Sequence, residues 1–415
     1  WALDARINER GVMVDTELAE AAVAVDDAFA AEHSEEMRRL TGLDNPNSVA
    51  QLKEWLAAVG VDCESLNKAT VSDLLGKAID PTTRRVLELR QQLGKTSTKK
   101  YQAMLAAACR DDRVRGIMQY YGAGRTGRWA GRIVQPQNLP QNHLDVIDKV
   151  RQLVREKDLE TLELAFDNVP DVLSQLIRTA FVAKPGHTFL VADYSAIEAR
   201  VIAYLAGEQW RIDVFAQGGD IYCSSASQMF KVPVVKHGIN GHLRQKGKIA
   251  ELACGYGGGV NALKAFGADK MGLTEDEMQT IVTQWRQASP TIPRFWSDTE
   301  RAAKRALETP GKTFTIPCGV KYRRDADALR CQLPSGRILS YWDARIEEYK
   351  DRPSIVFTGQ NQTTRKWEKT ETWGGKLVEN IVQAFARDCL AVALLRLEKA
   401  GYETVFHVHD EIVAE

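Results

Sequence analysis

The chain has 415 residues, 44% of them hydrophobic and 27% charged, with 55 Lys+Arg balanced by 55 Asp+Glu. That length exceeds one ordinary core and predicts two or three domains or subdomains; no apolar run approaches the ~20 residues needed to span a bilayer, which excludes a transmembrane helix. The seven cysteines, at 63, 109, 223, 254, 318, 331 and 389, form no C-x-x-C pair, which argues against a zinc site or a disulfide framework and for a reducing, cytoplasmic setting. The opening Trp1-Ala-Leu-Asp-Ala-Arg has neither a signal-peptide layout nor an initiator Met, so the sequence is expected to start inside a larger chain.

The zero net charge hides a polarity. Residues 1–80 hold 7 Lys+Arg and 16 Asp+Glu, whereas residues 81–135 hold 12 Lys+Arg and 3 acids. The basic block, interleaved with Gly, Ser, Thr and Tyr, suits a polyphosphate backbone. Residues 1–110 read as mostly helical. Asp15-Thr-Glu17 opens a long Ala-rich helix, Asn45-Pro-Asn-Ser48 caps a helix over 49–59, and Pro81 begins another at a favourable first-turn position. Lys95-Thr-Ser-Thr-Lys-Lys-Tyr101 predicts a helix tip that touches phosphates. The triplets Asp15-Thr-Glu17 and Asp298-Thr-Glu300 lie where helices are expected, with no strand leading in; they are read as helix-surface acids and not as an exonuclease site.

Thr126-Gly-Arg128 and Gln137-Asn138-Leu-Pro140 combine Gly, forked Arg donors and amides that both donate and accept, a set suited to grasping a duplex. Phe189-Leu-Val-Ala-Asp193 then reads as a buried strand ending in a carboxylate, with a helix leaving at once that carries Glu198 and Arg200. In the next helix, Arg244, Lys248, Leu252 and Tyr256 recur every fourth residue and step round by only ~40° each, making one winding stripe. Two cations at its N-terminal end can grip a triphosphate; Leu252 and Tyr256 can cover a base, and Gly257 to Gly259 offer a pivot. Two helices follow over 274–308, with Pro290 to Trp296 expected to pack. Alternating hairpin patterns run from 311 to 373, and a long helix from about Gly375 to Ala400 carries Gln383 and Arg387 with Asp388 beside them. The chain closes on Thr404-Val-Phe-His-Val-His409-Asp410-Glu411, a strand pattern interrupted by two acids. Asp193 and Asp410, over two hundred residues apart, can meet only if one sheet gathers their strands; such a pair suits divalent ions in nucleotidyl transfer. His407 and His409 lack a third His or Cys nearby, so zinc is not expected.

Together these stretches resemble family A DNA polymerases, most of all phage members. The likeness is carried by Asp193-Tyr194-Ser-Ala-Ile-Glu198-Ala-Arg200, by Arg244, Lys248, Tyr256 and Gly257 at full spacing, by His409-Asp410-Glu411, and by Thr126-Gly-Arg128 with Gln137-Asn138-Leu-Pro140. The resemblance implies an α+β right-hand fold with an antiparallel palm, helical fingers and a helical thumb: thumb 1–123, palm 124–203 and 341–415, fingers 204–340. It implies template-directed addition of deoxynucleotides to a primer, in phage replication and in the host cytoplasm, by a monomer with no membrane partner. Two Mg²⁺ ions are implied at Asp193, Asp410 and the Tyr194 carbonyl, with Glu411 beside them. Arg244 and Lys248 hold the triphosphate, Lys248 doubling as proton donor; Glu198 rejects a 2′-hydroxyl, Tyr222 faces the β-phosphate, and Leu252 and Tyr256 face the nascent pair. Arg128, Gln137, Asn138, Gln383, Arg387 and His409 are implied to touch primer-template DNA.

Three departures stand out. Leu252 replaces an aromatic residue, Ala196 replaces a common Gln, and the chain stops at Glu415, just past the last motif, where the family continues. Two rival readings are a single-subunit RNA polymerase and an inactive polymerase-shaped DNA-binding module.

Overall fold

The structure, a computed structural model, describes residues 1–415 apart from 78, 96–97, 350–351 and 362–363. It is α+β, as expected. The described chain separates into two compact units: Trp1–Tyr120 with Trp129–Ala192 and Leu397–Glu415, and Tyr121–Arg128 with Asp193–Arg396. No helix among the described residues is long and apolar enough to cross a membrane.

The first unit is built on the helix Thr16–Thr41. Asp15 caps it by accepting from the Leu18 amide at 3.0 Å, and Gly42 ends it at φ 70°. Asp15 also receives Arg151 and Arg155, so this acid is a paired cap and not a bare surface charge. The helix buries Leu18, Ala22, Val25 and Phe29 against Tyr101, Leu173 and Ile177. A satellite core joins Met37 to Leu52, Leu56, Val86 and Leu87, supplied by Val49–Ala58 behind the Ser48 cap and by Pro81–Leu93 behind the Asp80 cap. The expected phosphate-touching tip at 95–101 includes residues 96–97, which lie outside the described ones; Lys95 pairs with Asp171, and the helix Lys99–Ala107 follows.

The unit's last sheet orders the strands Thr404–Val408, Glu411–Ala414 and Leu190–Asp193. The two acidic strands therefore share one sheet. Leu190–Asp193 was expected to be buried, because an apolar run reads that way. It is instead the edge strand, with Leu190 and Val191 exposed by 53% and 57%.

In the second unit, Gly311 to Thr372 makes the expected antiparallel hairpins. They join into a six-stranded sheet whose order follows the chain, from Thr313–Thr315 through Lys321–Arg324, Ala328–Gln332, Ile338–Tyr349 and Arg352–Gln360 to Trp367–Thr372. Its inner face (Leu329, Cys331, Leu339, Tyr341, Phe357) packs with Leu377, Ile381 and Ala384 of the helix Gly374–Lys399 and with Phe295 and Ala303 of Thr291–Glu308. Glu300, one of the acids read as a surface residue, accepts the Gly374 amide at 2.9 Å and so satisfies a donor at the start of the long helix.

Candidate functional site

The stripe helix spans Leu243–Cys254. Its neighbour Ile221–Phe230 lies so close that a Cβ on Gly247 would stand 2.2 Å from the Tyr222 carbonyl oxygen. This approach brings Arg244 over the Tyr222 ring, 5.1 Å from its centroid, and sets Arg244 Nε 2.8 Å from Asp220. Asp220 simultaneously caps the neighbouring helix through the Tyr222 and Cys223 amides. Burial works to raise the Asp220 carboxyl, but the Arg244 hydrogen bond and the capping amides outweigh it and hold the group below the usual carboxylate range. Lys248 is half-buried and Leu252 is 44% exposed on the same side of the helix. We predict that Gly247→Ala forces the two helices apart and costs about 2–4 kcal/mol, read as a shifted denaturant midpoint at unchanged slope. An unshifted midpoint would show that the pair can slide freely.

At the far end of the stripe, the Tyr256 hydroxyl donates to Glu198 Oε2 at 2.7 Å, while Arg128 Nη1 donates to Glu198 Oε1 at 3.1 Å. Glu198 thus links two other sequence-predicted residues in one chain of bonds. Burial, reinforced by the Glu198 charge, pushes the Tyr256 hydroxyl well above its ordinary range, so it stays a donor. The backbone behind Tyr256 is anchored as well. Trp296 Nε1 donates to the Gly255 carbonyl at 3.0 Å and Arg286 to the Gly258 carbonyl at 3.2 Å, and Gly375 leaves room for the Tyr256 carbonyl, which a Cβ would meet at 2.1 Å.

Arg128 belongs to a short segment fixed by two further arginines. Arg337 donates to the Thr126 carbonyl at 2.7 Å and to Asp388 at 2.8 Å, and Arg387 Nε donates to the Gly127 carbonyl at 3.0 Å. Arg387 was expected at a DNA-facing surface. Its buried guanidinium instead supports the loop that presents Arg128. Gln383 is half-buried on the same helix and donates to Glu379 at 3.5 Å. Asp193 and Tyr194 are exposed, ahead of the helix Ile197–Ala206, whose preceding residue Ala196 takes φ 52°.

In the first unit, Asp410 and His409 form the two-residue turn between Thr404–Val408 and Glu411–Ala414, across which Val408 pairs with Glu411. His409 takes φ 53° and is exposed, while Asp410 and Glu411 are half-buried. The strand pattern expected to be interrupted by two acids is thus a tight hairpin with Asp410 at its tip. Gln137 donates to the His407 carbonyl at 3.4 Å, and Asn138 is exposed.

Among the described residues no three His, Cys, Asp or Glu side chains gather as a metal cluster. Mg²⁺ takes one or two carboxylates and completes its shell with water and substrate phosphate oxygens. Asp193, Asp410 and the Tyr194 carbonyl are hard oxygen donors of that kind.

Sequence reasoning missed Asp220 and Arg337. Only Asp220 carried a local signal, as a capping residue ahead of a helix.

A family model described as DNA polymerase family A matches residues 17–316. A DNA polymerase of Bacillus phage SP02 is 51% identical over all of this chain and 64% of its own length. The thermostable DNA polymerase I of Thermus aquaticus is 26% identical over 59% of the chain. The solved POL domain of Pol1 from M. smegmatis, in complex with DNA primer-template and dNTP, covers 99% of the chain with a TM-score of 0.63 at 18% identity, and the chain covers 62% of it. The chain thus spans less than two thirds of the phage relative and of that solved structure.

Proposed function

Because the chain belongs to DNA polymerase family A, we propose that it extends a primer 3′-hydroxyl with deoxynucleotides on a DNA template, in phage DNA replication. The observation that carries this reading is the linkage of Tyr256, Glu198 and Arg128 within the unit that also bears the Arg244 and Lys248 stripe. In this reading residues 1–123 are the thumb, 124–203 and 341–415 the palm and 204–340 the fingers. The reading places the enzyme in the cytoplasm of a bacterial host, as a monomer; the phage relative supports the host setting.

Arg244 and Lys248 neutralise the triphosphate, and Lys248 is the residue placed to protonate the departing pyrophosphate. Asp220, which holds Arg244 in this structure, keeps the guanidinium aimed until phosphate oxygens compete for it. Tyr222 lies beneath Arg244 and can donate a hydrogen bond to the same phosphates. Tyr256 and Leu252 cover the nascent pair, with less ring area at Leu252 than an aromatic residue would give. Glu198 fills the space beside the sugar 2′ carbon, so an added hydroxyl meets a carboxylate already engaged by Tyr256. Arg128 and Gln383 face minor-groove acceptors, with Gln137, Asn138 and His409 along the primer-template. Asp193, Asp410 and the Tyr194 carbonyl would hold two Mg²⁺ ions, with Glu411 alongside. Bound there, the ions supply a more acidic primer hydroxyl and charge stabilisation on the phosphates.

Primer extension by the complete gene product tests the reading. Deoxynucleotides are incorporated only with a divalent ion present, and ribonucleotides at least ~10²-fold less efficiently. A preference for ribonucleotides would move the chain to the RNA polymerase reading, and no incorporation at all to that of an inactive DNA-binding module.

A further inference from the structure

The stripe helix is tied to the rest of its unit by a buried ionic hub that the reaction does not use. Arg211, on the helix Gln209–Ala216, is 0% exposed, and Glu251, on the stripe helix, is 9% exposed. Their pairing is a bidentate fork, with Nη1 to Oε2 at 2.6 Å and Nη2 to Oε1 at 2.8 Å. The remaining side of the guanidinium donates to Ser289 Oγ, from Nε at 3.0 Å and Nη2 at 2.9 Å. Trp285, on the helix Glu275–Ala288, donates its Nε1 to Glu251 Oε1 at 2.9 Å. The rings of Trp210 and Trp285 lie 4.8 and 5.0 Å from the guanidinium carbon. Two further bonds tie the Arg211 helix to its surroundings: Trp210 Nε1 to the Ala288 carbonyl at 2.8 Å, and the Thr291 hydroxyl, on the helix Thr291–Glu308, to Glu208 at 2.6 Å.

A buried ion pair of this kind adds little net stability over well-packed apolar residues of similar volume. What it does add is geometry. Apolar contacts let a helix slide or turn about its axis, whereas a two-pronged charged fork fixes both movements. Glu251 follows Arg244 by seven residues and Lys248 by three, so the angle at which it is held sets the direction in which both cations point. Turning the helix by about 30° would carry a group at its ~5–6 Å outer radius through roughly 3 Å, and a misplacement of ~1 Å can cost ~10²-fold in rate.

We infer that Arg211 and Glu251 are positioning residues for the nucleotide site: their fork fixes the rotation and axial place of the Arg244 and Lys248 helix for a deoxynucleoside triphosphate. The inference rests on the polymerase reading for its ligand, and on the hub geometry alone for its mechanics.

The test uses two variants of the intact protein. Arg211→Lys keeps the charge and loses the fork; Arg211→Met with Glu251→Leu replaces the pair by apolar groups. Single-nucleotide incorporation, thermal melting and hydrogen exchange of the amides over 243–254 are measured for each. We expect the dNTP KM to rise about ten-fold in both variants, kcat to fall as well because Lys248 turns with Arg244, and primer-template affinity to stay unchanged. The double variant melts within a few degrees of the wild type yet keeps the raised KM and shows faster exchange over 243–254. A double variant with wild-type KM, or a KM that rises only in step with lost melting temperature, overturns the inference. If the double variant does not fold, the KM of Arg211→Lys decides in the same way. If the wild-type chain incorporates nothing, the polymerase reading fails, and the exchange comparison still decides: wild-type protection of 243–254 without the fork overturns the positioning role.

Discussion

Asp410→Ala lowers single-turnover primer extension by at least about 10³-fold while leaving primer-template affinity within a few-fold of the wild type. The side chain is half-buried at the tip of a two-residue turn, outside any apolar core. The large loss of rate follows from the proposed role of this carboxylate as one of the two that would hold the divalent ions. Asp193→Asn gives a loss of the same order, and the two losses do not add, since either change empties the shared site. Rapid-quench kinetics with a labelled primer measure the rate, and fluorescence anisotropy the affinity. Extension by Asp410→Ala above a tenth of the wild-type rate would sink the two-carboxylate mechanism.

Glu198→Ala produces the second large effect, on selectivity. The carboxylate fills space while holding Arg128 at 3.1 Å and Tyr256 at 2.7 Å. Removing it opens room for a 2′-hydroxyl, and the ratio of kcat/KM for deoxy- over ribonucleotides falls about 100-fold, ~2.7 kcal/mol. It also takes away the acceptor of the Tyr256 hydroxyl, which costs about 1–3 kcal/mol of stability. Glu198→Gln separates volume from charge. The amide keeps the bulk and still accepts from Tyr256, so selectivity stays within several-fold of the wild type even though the Arg128 pairing weakens. Equal loss of selectivity in Gln and Ala would place the discrimination in the charge, contrary to a steric role.

The helical elements were legible because their ends carry capping chemistry. Asp15 and Ser48 each precede a helix and accept one of its first amides, and Pro81 opens another at its first turn. The stripe at 244, 248, 252 and 256 was legible because a helical period places charged residues where a core helix would not tolerate them. The burial of Leu190–Asp193 was not legible, because an apolar run has the same composition at the edge of a sheet as at its centre. The Arg387 contact also escaped reading. A polar residue on a helix looks the same from the sequence whether it faces solvent or, as here, the Gly127 carbonyl 260 positions earlier. Arg211 and Glu251 were hidden for a similar reason: they lie 40 residues apart on different helices, and no local pattern ties them.

The two compact units interleave along the chain, one made of three segments and the other of two. The polypeptide therefore passes between them four times, once out and back within the eight residues Tyr121–Arg128. Neither unit can be exchanged as a cassette by a single recombination event or released by one proteolytic cut. A homologous crossover placed inside 193–396 would unite halves of one unit from different parents. Viable chimaeras should accordingly have their junctions clustered at 120–129, 192–193 and 396–397, where a graft carries whole segments.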